Sequence, residues 1–290
     1  MKKSQSEPQA RSAENLLSRR EFAALSVAAG LAATSGAAMA AAPVAERPVA
    51  IETPDGTCDA VLAYPKDQRP APAVILWPDA LGLRPVKVAM AKRLAAEGYA
   101  VLAVNQFYRV RKAPVFPPTF DFDNPADRAE LMTLIPALDR AAVTRDAKAF
   151  IAFLDAQPEV DVKARIGSVG FCMGGKMTIW TAAVARDRAG AGVSFHGGQL
   201  VTDAADSPHT LIAASPAAYH FGIAADDDEK EPQAKAALKQ ALEAAGKPAS
   251  VEVYPGTKHG WTVPDSKTYN PEQAERAWAA MLALYKQALV

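Results

Sequence analysis

The sequence predicts an α/β protein: a mostly parallel central sheet with helices on both faces, opened by an antiparallel hairpin. Short, wholly apolar runs such as Ala73-Val74-Ile75-Leu76-Trp77 have the length of strands buried on both faces. Longer segments with helical spacing lie between them, and strands alternating with helices make a parallel sheet with crossover helices. No linker-like composition interrupts residues 41–290, which therefore read as one domain.

The elements follow in order. Residues 48–65 hold two alternating runs around Pro54-Asp55-Gly56, the signature of a hairpin. After the strand at 73–77, residues 85–97 place Val86, Met90 and Leu94 on one helical face, and Gly98 ends that helix. Residues 99–104 are the next buried strand. Residues 111–125, rich in proline and phenylalanine, show neither period. A long surface loop near the site is expected there, since long loops in compact domains are usually functional. Residues 126–157 are helical with an interruption at Pro136. A β-rich run at 164–169 and a helix from Lys176 come next. Strands are expected at 190–195, 217–223 and 251–254, and helices over 232–245 and 271–289.

The first forty residues read as a leader. Ser18-Arg19-Arg20-Glu21-Phe22 precedes a short alanine-rich apolar run, and Ala38-Met39-Ala40 offers a small-x-small cleavage site. A twin-arginine pair before such a run is an address of the Tat export machinery. Residues 1–40 are thus expected to be a Tat-type signal peptide, and the mature protein a soluble periplasmic monomer. Lys and Arg total 32 and Asp and Glu total 32, so no net field favours nucleic acid as a partner. Cys58 and Cys172 are the two cysteines, too few for a disulfide scaffold, although an oxidising compartment allows one bridge between them.

The chemistry centres on Gly170-Phe171-Cys172-Met173-Gly174-Gly175, at the end of a predicted strand and the start of a helix. This is the pattern of a nucleophile elbow with cysteine in the reactive position. The helix N-terminus that follows favours both a thiolate and an oxyanion. Acyl transfer also needs a base and an acid that orients it, and in α/β-hydrolases these follow the nucleophile in the order acid, histidine. His259, in the loop after the last strand, stands where the base belongs. His220 lies within an apolar strand pattern and His209 in an ordinary loop. His196 ends a strand in Phe195-His196-Gly197-Gly198 and is expected to line the pocket. The acid falls within Asp226-Asp227-Asp228-Glu229, with Asp227 favoured and Asp226 second. That run also suits the cap and first turn of the helix after it. Phe107, Tyr108, Phe116, Phe120 and Trp261 are candidates for apolar walls.

Together these segments resemble the dienelactone hydrolase family of α/β-hydrolases, over nearly all of residues 41–290. They include Asp79-Ala80-Leu81-Gly82-Leu83-Arg84, Asn105-Gln106-Phe107-Tyr108-Arg109, the Cys172 elbow and Lys258-His259-Gly260. The resemblance implies an α/β-hydrolase fold and hydrolysis of a small ester or lactone, with no cofactor and no metal. It implies Cys172 as nucleophile, His259 as base and Asp227 as orienting acid. It implies Asp79 as an acid that helps ionise the thiol, and the N–H groups of Met173 and Ala80 as the oxyanion hole. Arg109 matches an arginine that meets a substrate carboxylate. Two departures stand out: Asp79 replaces a frequent glutamate, and Val104-Asn105-Gln106 replaces Pro-Asp-Leu. A binding protein with the same pocket, or a thioesterase or aryl esterase on the same scaffold, are the other readings.

Overall fold

A computed structural model of the protein describes residues 43–66 and 70–289. The leader expected over residues 1–40 lies outside the described residues. Strands β1 (Val44–Thr53) and β2 (Gly56–Pro65) form the expected hairpin, which starts at Val44 rather than Pro48. Gly56, at φ 129°, supplies its turn with a backbone angle that L side chains avoid. The chain continues through β3 (Ala73–Trp77), α1 (Pro85–Ala96), β4 (Ala100–Val104), α2 (Pro125–Leu134) and α3 (Arg140–Asp155). A 3-10 turn over Ile135–Leu138 separates α2 from α3, at the predicted Pro136 interruption. Then come β5 (Ile166–Phe171), α4 (Gly174–Ala185), β6 (Ala189–Phe195) and β7 (Ala218–Ala224). The last elements are α5 (Ala225–Lys230), α6 (Ala234–Ala244), β8 (Ala249–Tyr254) and α7 (Pro271–Ala288).

The strands join in one sheet of order β1-β2-β4-β3-β5-β6-β7-β8. Pairing is antiparallel from β1 to β4 and parallel from there to β8. This is the α/β-hydrolase architecture, with the hairpin continuous with the main sheet. Alternate residues supply opposite layers. Val74, Leu76, Val101 and Ala103 pack in one layer, while Ile75, Trp77, Leu102 and Val104 pack in the other. Both layers are needed because each strand is wholly buried, and full burial of one such large side chain stabilises by roughly 1.5–3 kcal/mol.

Two segments differ from the sequence reading. The elbow strand runs to Phe171 because Gly170 and Phe171 pair with Ser194 and Phe195 on β6. The acidic run forms its own short helix, α5, instead of capping the next one. Pro232 explains the break: the residue before a proline is driven out of the helical region, and Glu231 sits at φ −127°, ψ 60°.

The parallel register places the ends of β3, β5, β6, β7 and β8 along one edge. Trp77 pairs with Gly170, Phe171 with Phe195, Phe195 with Gly222, and Ala224 with Tyr254. The segments leaving that edge carry Asp79, Cys172, His196 and His259 on loops and turns and Asp227 on helix α5. Ligands of open α/β sheets bind in this position, beyond the carboxyl ends of the strands.

Candidate active site

Cys172 occupies a strained turn between β5 and α4, with φ at 52°. The turn closes only because its neighbours lack side chains. A Cβ on Gly170 would lie 2.0 Å from the carbonyl oxygen of Gly174, and one on Gly174 would lie 2.5 Å from that of Pro78. A Cβ on Gly175 would lie 2.3 Å from Ser194 Oγ. The predicted elbow therefore has a steric basis at each of its three glycines.

His196 sits directly behind the elbow, almost fully buried. The Cys172 N–H donates to His196 Nδ1 at 3.1 Å and also to the Phe195 carbonyl at 3.1 Å. His196 Nε2 contacts Thr262 Oγ1 at 2.9 Å. Burial, reinforced by the neighbouring His259, pushes the His196 pKa far down and keeps the ring neutral. A neutral ring accepting at Nδ1 carries its proton on Nε2, which donates to Thr262. His196 thus holds the elbow backbone, and it also lines the cavity.

His259 is gripped twice by α5. Its Nδ1 lies 2.7 Å from Asp227 Oδ2, and its backbone N–H donates to Asp226 Oδ1 at 2.8 Å. The two acids left open by the sequence divide the work: Asp227 meets the ring and Asp226 the main chain. Burial alone would lower the His259 pKa. The Asp227 hydrogen bond and the adjacent Cys172 sulfur outweigh it and raise the value to about 10. The His196 and His259 rings meet edge to face, with centroids 4.9 Å apart.

Asp79 follows β3 on the cavity wall, engaged by cations rather than by the thiol. Arg84 forks onto both of its carboxylate oxygens, at 2.7 and 3.0 Å, and Lys87 Nζ lies 2.9 Å from Oδ2. Burial would raise the Asp79 pKa, but Lys87 and Arg84 hold it well below the usual carboxylate range. Asp79 Oδ1 also accepts the Leu81 N–H at 3.0 Å, and Gln106 Nε2 donates to the Asp79 carbonyl at 2.8 Å. These bonds fix the loop that carries Ala80. Among the described residues, no hydrogen bond from the Ala80 or Met173 N–H accompanies them.

A cavity of about 490 Å³ opens over Cys172, His196 and His259. Its walls come from the Asp79–Arg84 loop, the loop residues Phe120 to Asp123, and residues 263–268. The loop expected near the site is there. Three expected substrate contacts are elsewhere. Trp261 is buried in the core, 4.4 Å from the Tyr254 ring. The Tyr108 hydroxyl contacts Thr53 Oγ1 at 2.6 Å and donates to Asp146 at 2.7 Å. Arg109 lies over the Tyr108 ring and pairs with Asp55 and Asp146, at 2.6 and 2.7 Å. Neither Tyr108 nor Arg109 lines the cavity.

Sequence reasoning missed Arg84, Lys87, Asp265 and Lys267. Lys87 carried a signal, because it shares the buried helical face of Met90 and Leu94 by its spacing of three and seven. Cys58 is buried and its thiol remains free, as does that of Cys172. Burial pushes the Cys58 thiol pKa up. Among the described residues, no group of three or more His, Cys, Asp or Glu is placed to hold a metal ion.

Comparison with known proteins agrees with this architecture. A protein of Methylorubrum extorquens assigned as a carboxymethylenebutenolidase is 28% identical over 291 residues, covering 95% of this chain and 94% of that one. A Salmonella typhi protein of the same assignment is 29% identical, over 87% of this chain and 96% of that one. A Klebsiella pneumoniae structure assigned as a dienelactone hydrolase shares the fold, with TM-score 0.73 at 24% identity, over 84% of this chain and 99% of that one. A dienelactone hydrolase-like promiscuous phosphotriesterase from metagenomic libraries gives TM-score 0.71 at 25% identity, over 85% of this chain and 99% of that one. The model of the dienelactone hydrolase family matches residues 58–289, and the chain belongs to that family.

Proposed function

We propose that this chain hydrolyses small ester or lactone substrates by thiol-based acyl transfer, with Cys172, His259 and Asp227 as its triad. The observation that carries the reading is the convergence on one cavity of a sulfur on a strained elbow and a histidine held by a carboxylate at 2.7 Å. Raised in pKa to about 10, His259 rests as the imidazolium at neutral pH. A cationic imidazole beside a thiol favours the thiolate.

The sulfur attacks the carbonyl carbon, forming a C–S bond while the carbonyl electrons move to oxygen. The N–H groups of Met173 and Ala80 receive that oxyanion, and the α4 N-terminus adds its positive end. Collapse breaks the C–O bond, and His259 gives its proton to the departing alkoxide. The neutral imidazole then takes a proton from water, whose oxygen attacks the thioester and releases Cys172 and the acid. In a lactone the alkoxide stays attached, so one molecule leaves. Asp79 acts here as a positioning residue: its carboxylate shapes the loop that aims the Ala80 N–H.

The test is Cys172→Ala with an activated aryl ester. Turnover should vanish while the circular dichroism of the folded protein is retained; surviving turnover would overturn the assignment. The location of the protein is a separate proposal that rests on Arg19-Arg20 and the small-x-small site. Replacing both arginines by lysine should retain the protein in the cytoplasm, and unaltered periplasmic recovery would reject twin-arginine export.

A further inference from the structure

Among the described residues Arg84 is the one guanidinium on the cavity wall, and all its donors are engaged. Nε and one Nη2 hydrogen go to Asp265, at 2.8 and 2.9 Å. One Nη1 hydrogen and the other Nη2 hydrogen go to Asp79, at 2.7 and 3.0 Å. The last Nη1 hydrogen reaches the Gly82 carbonyl at 3.2 Å. A guanidinium has five N–H donors, so none is left for a substrate carboxylate. Arg109, the arginine expected to meet such a group, is engaged outside the cavity by Asp55 and Asp146. Besides His259, Lys267 is the remaining side-chain cation of the wall among the described residues, and it faces two carboxylates, Asp121 at 2.8 Å and Asp123 at 3.4 Å.

The wall therefore carries four carboxylates, those of Asp79, Asp121, Asp123 and Asp265, against Arg84, Lys267 and the His259 imidazolium, with Lys87 paired to Asp79 from beneath. With Asp227 facing His259, five carboxylates meet four cations, so the surplus is negative and an anion entering the cavity meets like charge. Between the acids the loop presents aromatic surface. Phe120 and Phe122 meet edge to face at 5.0 Å, and Phe116 supports Phe120 at 4.6 Å. Phe122 is 46% exposed, although phenylalanine is among the residues most often fully buried. Leu81 and Val263 extend the apolar lining.

We propose that the substrate is an uncharged ester or lactone with an apolar alkyl or aryl group, and that the cavity discriminates against a carboxylate-bearing one. This rests on the hydrolase reading above and narrows it to a substrate class. The loop aromatics bind the apolar group, and the paired acids reject an anion.

Para-nitrophenyl hexanoate and the mono-para-nitrophenyl ester of adipic acid test this, since they differ only by a methyl or a carboxylate at the chain end. With the full chain, kcat/KM for the hexanoate should exceed that for the adipate by at least about tenfold at low salt. The gap should narrow toward about 0.5 M salt as the field is screened. Asp121→Asn combined with Asp123→Asn should narrow it further. Equal or higher kcat/KM on the adipate overturns the proposal. If neither ester is turned over, the hydrolase reading fails, and binding of the matched hydrolysis-resistant para-nitroanilides decides the charge question. Tryptophan quenching that shows tighter binding of the neutral anilide supports discrimination, and equal or tighter binding of the carboxylated one refutes it.

Discussion

Two arginine clusters in this molecule are built from the same parts and sit in opposite situations. Arg84 bridges Asp79 and Asp265 on the wall of the cavity, with Lys87 buried beneath. Arg109 bridges Asp55 and Asp146 over the Tyr108 ring, away from the cavity. Each holds a guanidinium by two carboxylates, and each contains a group shut off from water: Lys87 in the first, Asp146 in the second. The difference is what the cluster steadies. Asp79 also accepts a backbone N–H from the loop that carries Ala80, whereas Asp146 ties helix α3 to the segment after β4. One network is therefore joined to the loop proposed to hold the oxyanion and the other to the scaffold.

Neutralising each buried acid without changing its shape separates the two. Asp79→Asn leaves the buried Lys87 with no carboxylate and should lower unfolding free energy by about 3–5 kcal/mol, read from urea midpoints. Asp146→Asn leaves Arg109 its Asp55 partner and should cost about 1.5–3 kcal/mol. A loss below about 1 kcal/mol at either site would mean that water reaches that cluster. The kinetic consequences should then diverge. In Asp79→Asn, kcat on an activated ester should fall about a hundredfold, the usual cost of one misaimed oxyanion donor. In folded Asp146→Asn it should stay within about threefold. Equal losses of kcat would erase the distinction between the clusters.

A smaller effect tests a third pair, His259 with Asp227. The His259 pKa is raised in the fold to about 10, above the 6.5 of a free histidine, so protonation favours the folded state. That contribution is complete below pH 6.5 and is lost as pH rises through about 10. The stability difference between wild type and His259→Gln should accordingly be larger at pH 6 than at about pH 10.5. A difference that grows with pH would mean the imidazole is neutral in the fold.

The clusters also show which information the chain carries openly. The strand at Ala73–Trp77 was readable to the residue because burial on both faces leaves no polar position to blur its ends. The elbow and its histidine were readable because strained turns and chain order restrict residue type. The fate of the two arginines was not. Arg109 and Arg84 each follow a strand end by a few residues, and only the position of α3 and of the 263–268 loop decides which one faces the cavity. Trp261 misled for a related reason: two residues after His259 the chain has already turned back under the sheet, so the indole packs on Tyr254. Lys87 was hidden by its charge, although its spacing matched the buried face of α1. Long-range ion pairs leave little trace in local sequence, since each partner looks like ordinary surface until both are placed.

Helix α5 begins at the residue after β7 ends, with no loop between them. Adjacent residues on a helix point about 100° apart, so Asp226 and Asp227 reach different atoms of His259 only at this starting phase. The junction therefore acts as a length gauge. One residue inserted at Ala225 would turn the ring's carboxylate away and offer the wrong acid, although the local sequence would remain just as acidic. Descendants of this chain should drift freely in composition at Glu229, while gaining or losing no residue between Ala224 and Asp227.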